Sequence, residues 1–138
     1  MTTTNQHIAE LLIRLFIGIL FLFQGYDKLF RIKISGVIQA FSAEAQSKRI
    51  PSSLLGAMAY YTSFAEFFGG LFLLCGFLTN YTLYALGLDL LLVTVGFSYL
   101  EPMWNMKHVF PRLVLVTVLL LLPESYRSFS LDHLLSIQ

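Results

Sequence analysis

The stretch AYYTSFAEFFGGLFLLCGFL, Ala59 to Leu78, decides the fold, because it is long enough to cross a bilayer and yet carries a carboxylate, Glu66, near its middle. Extended back to Leu54, the apolar run makes a helix of about 37 Å at roughly 1.5 Å per residue, which exceeds a hydrocarbon core of about 30 Å and leaves room for tilt. A central acid costs on the order of 3 kcal/mol, so Glu66 is expected to face other helices, stay protonated or find a cation. Thr62, Glu66, Gly69, Leu73 and Gly76 repeat at steps of four and three, a line of small and polar residues along which another helix can approach closely.

Composition agrees. The chain has 138 residues, of which 57% are hydrophobic and only 12% charged, with a mean hydropathy of +0.72. Soluble domains carry about twice that charge. The net charge of +1, without a basic cluster, gives no support for nucleic-acid binding. The lone cysteine, Cys75, excludes an internal disulfide and a CxxC pair, and its apolar setting reads as core. The N-terminus MTTTNQHIAE lacks the basic region of a cleavable signal, so the first apolar segment is expected to be retained.

Four spans are expected, at about residues 8–30, 54–78, 81–100 and 107–122. In the first, Arg14, Gly18, Phe21, Gly25 and Lys28 share one face, which should look into the bundle; Gln24 and Tyr26 suit an interfacial anchor, and Gln24 also a ligand wall. Between the first two spans, Ile34, Val37, Ile38, Phe41 and Ala45 recur at helical spacing, predicting an amphipathic interfacial helix over about 34–47. The third span carries Asp89 on the line Thr82, Ala85, Asp89, Leu92, Gly96 and Tyr99. Trp104 and Tyr99 suit the membrane interface, and Asn105, His108, Arg112 and Val116 share a face at the start of the short fourth span. The fold class is all-α, an integral membrane four-helix bundle with an interfacial helix between spans one and two.

Seven basic residues (Lys28, Arg31, Lys33, Lys48, Arg49, Lys107 and Arg112) fall toward one side and two (Arg14 and Arg127) toward the other. By the positive-inside rule both termini lie outside. Helical rise puts Arg14 about 9 Å and Asp89 about 12 Å below the outer boundary, with Glu66 near the centre, so Arg14 is expected to bridge both acids. Arg112 reaches either toward Glu66 or out to lipid phosphate. Arg14, Glu66, Asp89 and Arg112 sum to zero charge, the balance of a buried polar network, which serves structure, a proton relay or a ligand site equally well. Tyr60, Tyr61 and Phe64, beside Glu66, could line a quinone ring or simply pack. His7, His108 and His133 fall at or beyond the membrane ends, so no pair is placed to ligate a haem, and no metal or covalent-cofactor motif is evident.

With those residues in hand, the chain resembles the DoxX-like family of small four-helix membrane proteins. Arg14–Phe30 (RLFIGILFLFQGYDKLF), Ala65–Asn80 (AEFFGGLFLLCGFLTN) and Ser128–Leu135 (SFSLDHLL) match the family's RxxxGxxFxxxGxxKL, AExxGGxxLLxGxxT and SLDxLL patterns in order and spacing, and Gly36–Pro51 resembles its surface helix. Gln24 departs from the pattern, since many relatives carry histidine there. The resemblance implies association with membrane oxidoreductase systems, including a small subunit of thiosulfate:quinone oxidoreductase and assemblies that protect against thiol and oxidative stress. The expected function is therefore an accessory or anchor subunit of a redox complex in a prokaryotic plasma membrane, non-catalytic itself, with lipids and other subunits as partners and a quinone contact. The alternatives are a lipid or small-molecule carrier and a structural or assembly subunit without chemistry.

Overall fold

Helix α1 (Thr3–Tyr26) runs without interruption through the first apolar segment and ends in a π-helical turn over Asp27–Arg31, closed by the Ile32 N–H donating to the Asp27 carbonyl at 2.8 Å. The computed structural model describes residues 3–100, 107 and 109–135. Helix α2 (Lys33–Ser47) follows, then α3 (Ser52–Cys75), α4 (Thr79–Leu100) and α5 (Val109–Leu121). A 3-10 turn (Glu124–Tyr126) and the single-turn α6 (Leu131–Leu134) close the described chain. Every element is helical among the described residues. The Trp104, Asn105 and His108 expectations lie outside them.

The inward line predicted on α1 is the observed one: Arg14, Gly18, Phe21 and Gly25 are buried, and Lys28 half-buried. It packs antiparallel against the equally buried line Thr62, Glu66, Gly69, Leu73 and Gly76 of α3. The contact is backbone on backbone. A Cβ on Gly70 would fall 2.3 Å from the Leu22 nitrogen, and one on Gly25 would fall 2.3 Å from the Phe67 nitrogen. Only glycine permits that approach, which supplies the dense packing on which helix association in lipid depends. These contacts set the register, placing Glu66 opposite residues 24–28 and Arg14 near Leu73 to Gly76.

Helix α4 packs on α3 with Leu86 against Gly69, and α5 lies against α4 and α1. Ile17, Phe21, Leu73, Leu86, Leu90 and Val116 form the centre of the shared core. The α4 line is only partly as predicted: Thr82 and Asp89 are buried, but Ala85 and Tyr99 are exposed, because the buried stripe runs instead through Leu83, Leu86 and Leu90. Cys75 is likewise exposed, not core, since it points away from the Leu73 and Gly76 face.

The apolar stripe of α2 covers one end of α3 and α4, with Ile38, Phe41 and Ala45 meeting Leu55 and Leu100. Both ends of α2 are set off by residues in the left-handed region, Lys33 at φ 62° and Arg49 at φ 57°, which turn the chain sharply into and out of the helix. Outward, large apolar residues such as Leu12, Phe16, Phe23, Tyr84, Leu88 and Val95 are exposed in rows. Such rows suit a hydrocarbon solvent. The α1 and π-turn segment, α3 and α4 are each long and apolar enough to cross a membrane. Helix α5, at 13 residues, is shorter than a span, so the described residues give three candidate crossings where the sequence predicts four.

Candidate functional site

The polar centre is built on α1 and α3. Gln24 and Lys28 are one turn apart, so both reach across the glycine-tightened interface to the same carboxylate. Gln24 Nε2 donates to Glu66 Oε1 at 2.8 Å, and Lys28 Nζ lies 2.8 Å from Glu66 Oε2. The pair is enclosed: the Glu66 side chain is 1% exposed and that of Lys28 18%. The bond from Gln24 fixes its amide orientation, because turning it would set oxygen against the carboxylate. Lys28 stands in the π-helical turn, a local widening of the helix that recurs at functional sites in proteins.

Asp89 and Arg112 join this centre by charge rather than by contact. Asp89 is fully buried and feels Glu66, Lys28 and Arg112 electrostatically. Arg112 couples to both acids, while its guanidinium stands over the Phe21 ring at 5.8 Å, a cation–π contact. Arg112 thus lies against Phe21, and no ion pair joins it to Glu66 among the described residues.

Arg14 does not belong here. It forms an ion pair with Glu10 at 2.9 Å, one turn back on its own helix, and donates to the carbonyls of Leu73 at 2.9 Å and Phe129 at 2.6 Å. The predicted bridge from Arg14 to Glu66 and Asp89 fails because the antiparallel register puts Glu66 about 12 residues along α1 from Arg14, on the order of 18 Å at 1.5 Å per residue. The partner of Arg14 is Glu10, fully buried, which sequence reasoning misses although the i,i+4 spacing of the two is visible in the chain.

Arg14 belongs to a second polar centre that fastens the C-terminal segment. The Gly76 C-cap of α3 has φ 63°, and a Cβ there would fall 2.6 Å from Arg14 Nη1 and 2.6 Å from the Ser130 Cβ. Asp132 accepts the backbone N–H of Leu78 at 2.6 Å and of Thr79 at 2.7 Å, satisfying the start of α4. Its own N–H donates to the Gly76 carbonyl at 2.9 Å. Arg127 Nη1 donates to Asn80 Oδ1 at 2.7 Å, and Asn80 Nδ2 to Glu124. The SLDxLL-like stretch is thus a structural clasp.

Beside the first centre lies a cavity of about 300 Å³ between α2, α3 and α4. Its wall is apolar, with Phe41, Met58, Val93 and Phe97 among its residues, and Gln24, Lys28 and Thr62 supply the polar groups at one end. Pockets of this kind, mostly apolar with a few convergent polar groups, are where small ligands bind. Tyr60, Tyr61 and Phe64 do not line it. Tyr60 and Phe64 stack on one another at 6.5 Å on the exposed face of α3, and Tyr61 donates to the Ala85 carbonyl at 3.2 Å. They sit on the side of α3 turned away from the cavity; of the predicted ligand wall, only Gln24 takes part.

Three long apolar helices around enclosed charges define an integral membrane protein. The model of the DoxX family matches residues 9–99, about two thirds of the sequence, and the chain belongs to that family. No curated protein and no solved structure matches it.

Proposed function

We propose that this protein is an accessory membrane subunit of a redox complex, non-catalytic itself, whose cavity contacts a quinone ring. The observation that carries the reading is the apolar cavity of about 300 Å³ with Lys28 at its polar end. One donor of the Lys28 ammonium is committed to Glu66, and its remaining N–H groups suit a carbonyl oxygen. The ion pair is neutral overall, which favours an uncharged ligand over a fatty-acid anion. In this reading the segment around α5 completes a fourth span, α2 lies at the membrane interface, and the basic ends of the helices face the cytoplasm of a prokaryotic cell, with both termini outside.

The test is occupancy. Protein purified from native membranes with its partner subunits should carry quinone in substoichiometric to stoichiometric amounts, and Ala40→Phe, which fills the cavity without touching Lys28, should abolish it while the complex still assembles. Retention of quinone in that variant, or extraction of phospholipid from the same cavity instead, overturns the reading in favour of peripheral quinone or a lipid carrier.

A further inference from the structure

Among the described residues, Asp89 takes no part in lining the cavity or in any hydrogen bond. It is 0% exposed, and neither Oδ1 nor Oδ2 has a partner. The charged and titratable groups around it come from each element packed there: Glu66 and Tyr61 from α3, Lys28 from the π-helical turn and Arg112 from α5. None of their donors reaches either Asp89 oxygen. Lys28 Nζ is 2.8 Å from Glu66 Oε2, Tyr61 donates to the Ala85 carbonyl, and Arg112 stands over the Phe21 ring.

The register of α3 and α4 puts the two acids level. Gly69 meets Leu86 between antiparallel helices, so Glu66, three residues before Gly69, stands across from Asp89, three residues after Leu86. Glu66 accepts from Gln24 at Oε1 and has the Lys28 ammonium as an ion-pair partner 2.8 Å from Oε2. Asp89 has no such partner, and an ionised carboxylate removed from water without a donor is far more costly than a neutral acid. A second negative charge facing the first adds to that cost.

We infer that Asp89 and Glu66 together form a buried proton-binding site, in which Asp89 carries one exchangeable proton as a carboxylic acid and Glu66 remains the ion-paired base beside it. The site reaches the cavity through Lys28, which contacts Glu66 on one side and lines the cavity on the other. It requires no particular occupant there.

Infrared spectroscopy of the purified protein in lipid nanodiscs at neutral pH reads this proton directly. The expected result is a carboxylic-acid C=O band that shifts in D₂O and disappears in Asp89→Asn. Glu10→Gln is the control, since Glu10 Oε2 is also buried without a partner. Aspartate-specific ¹³C labelling of the wild-type chain keeps the test independent of how variants fold. Asp27 is ion-paired with Arg31 at the surface and Asp132 accepts two backbone N–H groups, so a labelled acid band belongs to Asp89. Absence of an acid band, a band that aspartate labelling leaves in place, or one lost only in Glu10→Gln overturns the inference.

Discussion

Lys28 Nζ lies 2.8 Å from Glu66 Oε2, joining a π-helical turn at the end of the first membrane helix to the middle of the third helix in the chain. The cation that answers the buried acid therefore comes from the membrane end, reaching inward along its aliphatic stem, and not from Arg14. Gln24, one turn earlier, holds the other oxygen.

Lys28→Met leaves Glu66 enclosed without its cation. Breaking a buried pair costs about 3–5 kcal/mol; the loss should fall toward the lower end, because the Lys28 side chain keeps 18% exposure. Adding Glu66→Gln should restore most of it. Unfolding of the four proteins of this cycle in mixed micelles measures the coupling, and additive losses would dissolve the pair.

Arg14→Ala is expected to couple with Glu10→Gln and not with Asp89→Asn. The single change orphans Glu10 and two backbone carbonyls, again on the order of 3–5 kcal/mol. Two double-mutant cycles on unfolding free energy decide this, and coupling to Asp89 alone would contradict the observed register.

Gly76→Ala should be strongly damaging, since it combines a left-handed backbone with a Cβ 2.6 Å from Arg14 Nη1. A strained residue of this kind costs about 1–3 kcal/mol before the clash is counted. Gly87→Ala, whose Cβ would meet only Val116 Cγ1 at 4.0 Å, should be neutral or slightly stabilising. Thermal denaturation of both variants in one detergent provides the comparison; similar midpoints would refute the contact.

Asp132→Asn keeps one acceptor for Leu78 or Thr79 and loses the other. A loss of about 1 kcal/mol is expected, as for other helix caps, with faster hydrogen exchange at Leu78 and Thr79 than in the wild type. Unchanged exchange there would show that the clasp does not hold the start of α4.

Reporter fusions test orientation. A fusion after Gln138 should report the outside and one within residues 42–48 the inside, as the seven-to-two distribution of basic residues requires. Reversed signals would invert the proposed topology.

The sequence by itself determined the inward faces of the first two long helices, because four-three spacing and small residues are local properties of a helix: the lines through Arg14 to Lys28 and through Thr62 to Gly76 are buried as their periodicity demands. The apolar stripe of α2 is a local property of the same kind, whereas the sequence reading assigns Arg14 to Glu66 and Asp89 and not to Glu10, its partner at i,i+4. Which buried charge meets which was a matter for tertiary structure alone. Depth counted from helix ends set Arg14 within reach of Glu66, but the relative slide of α1 and α3 is fixed by Gly25 against Phe67 and Gly70 against Leu22, contacts between residues more than forty positions apart. The same slide gives Glu66 to Lys28 and Gln24, and the separate register of α3 on α4, Gly69 against Leu86, leaves Asp89 facing Glu66 without a donor, since a helix face can be read from one chain segment but its opposite number only from two.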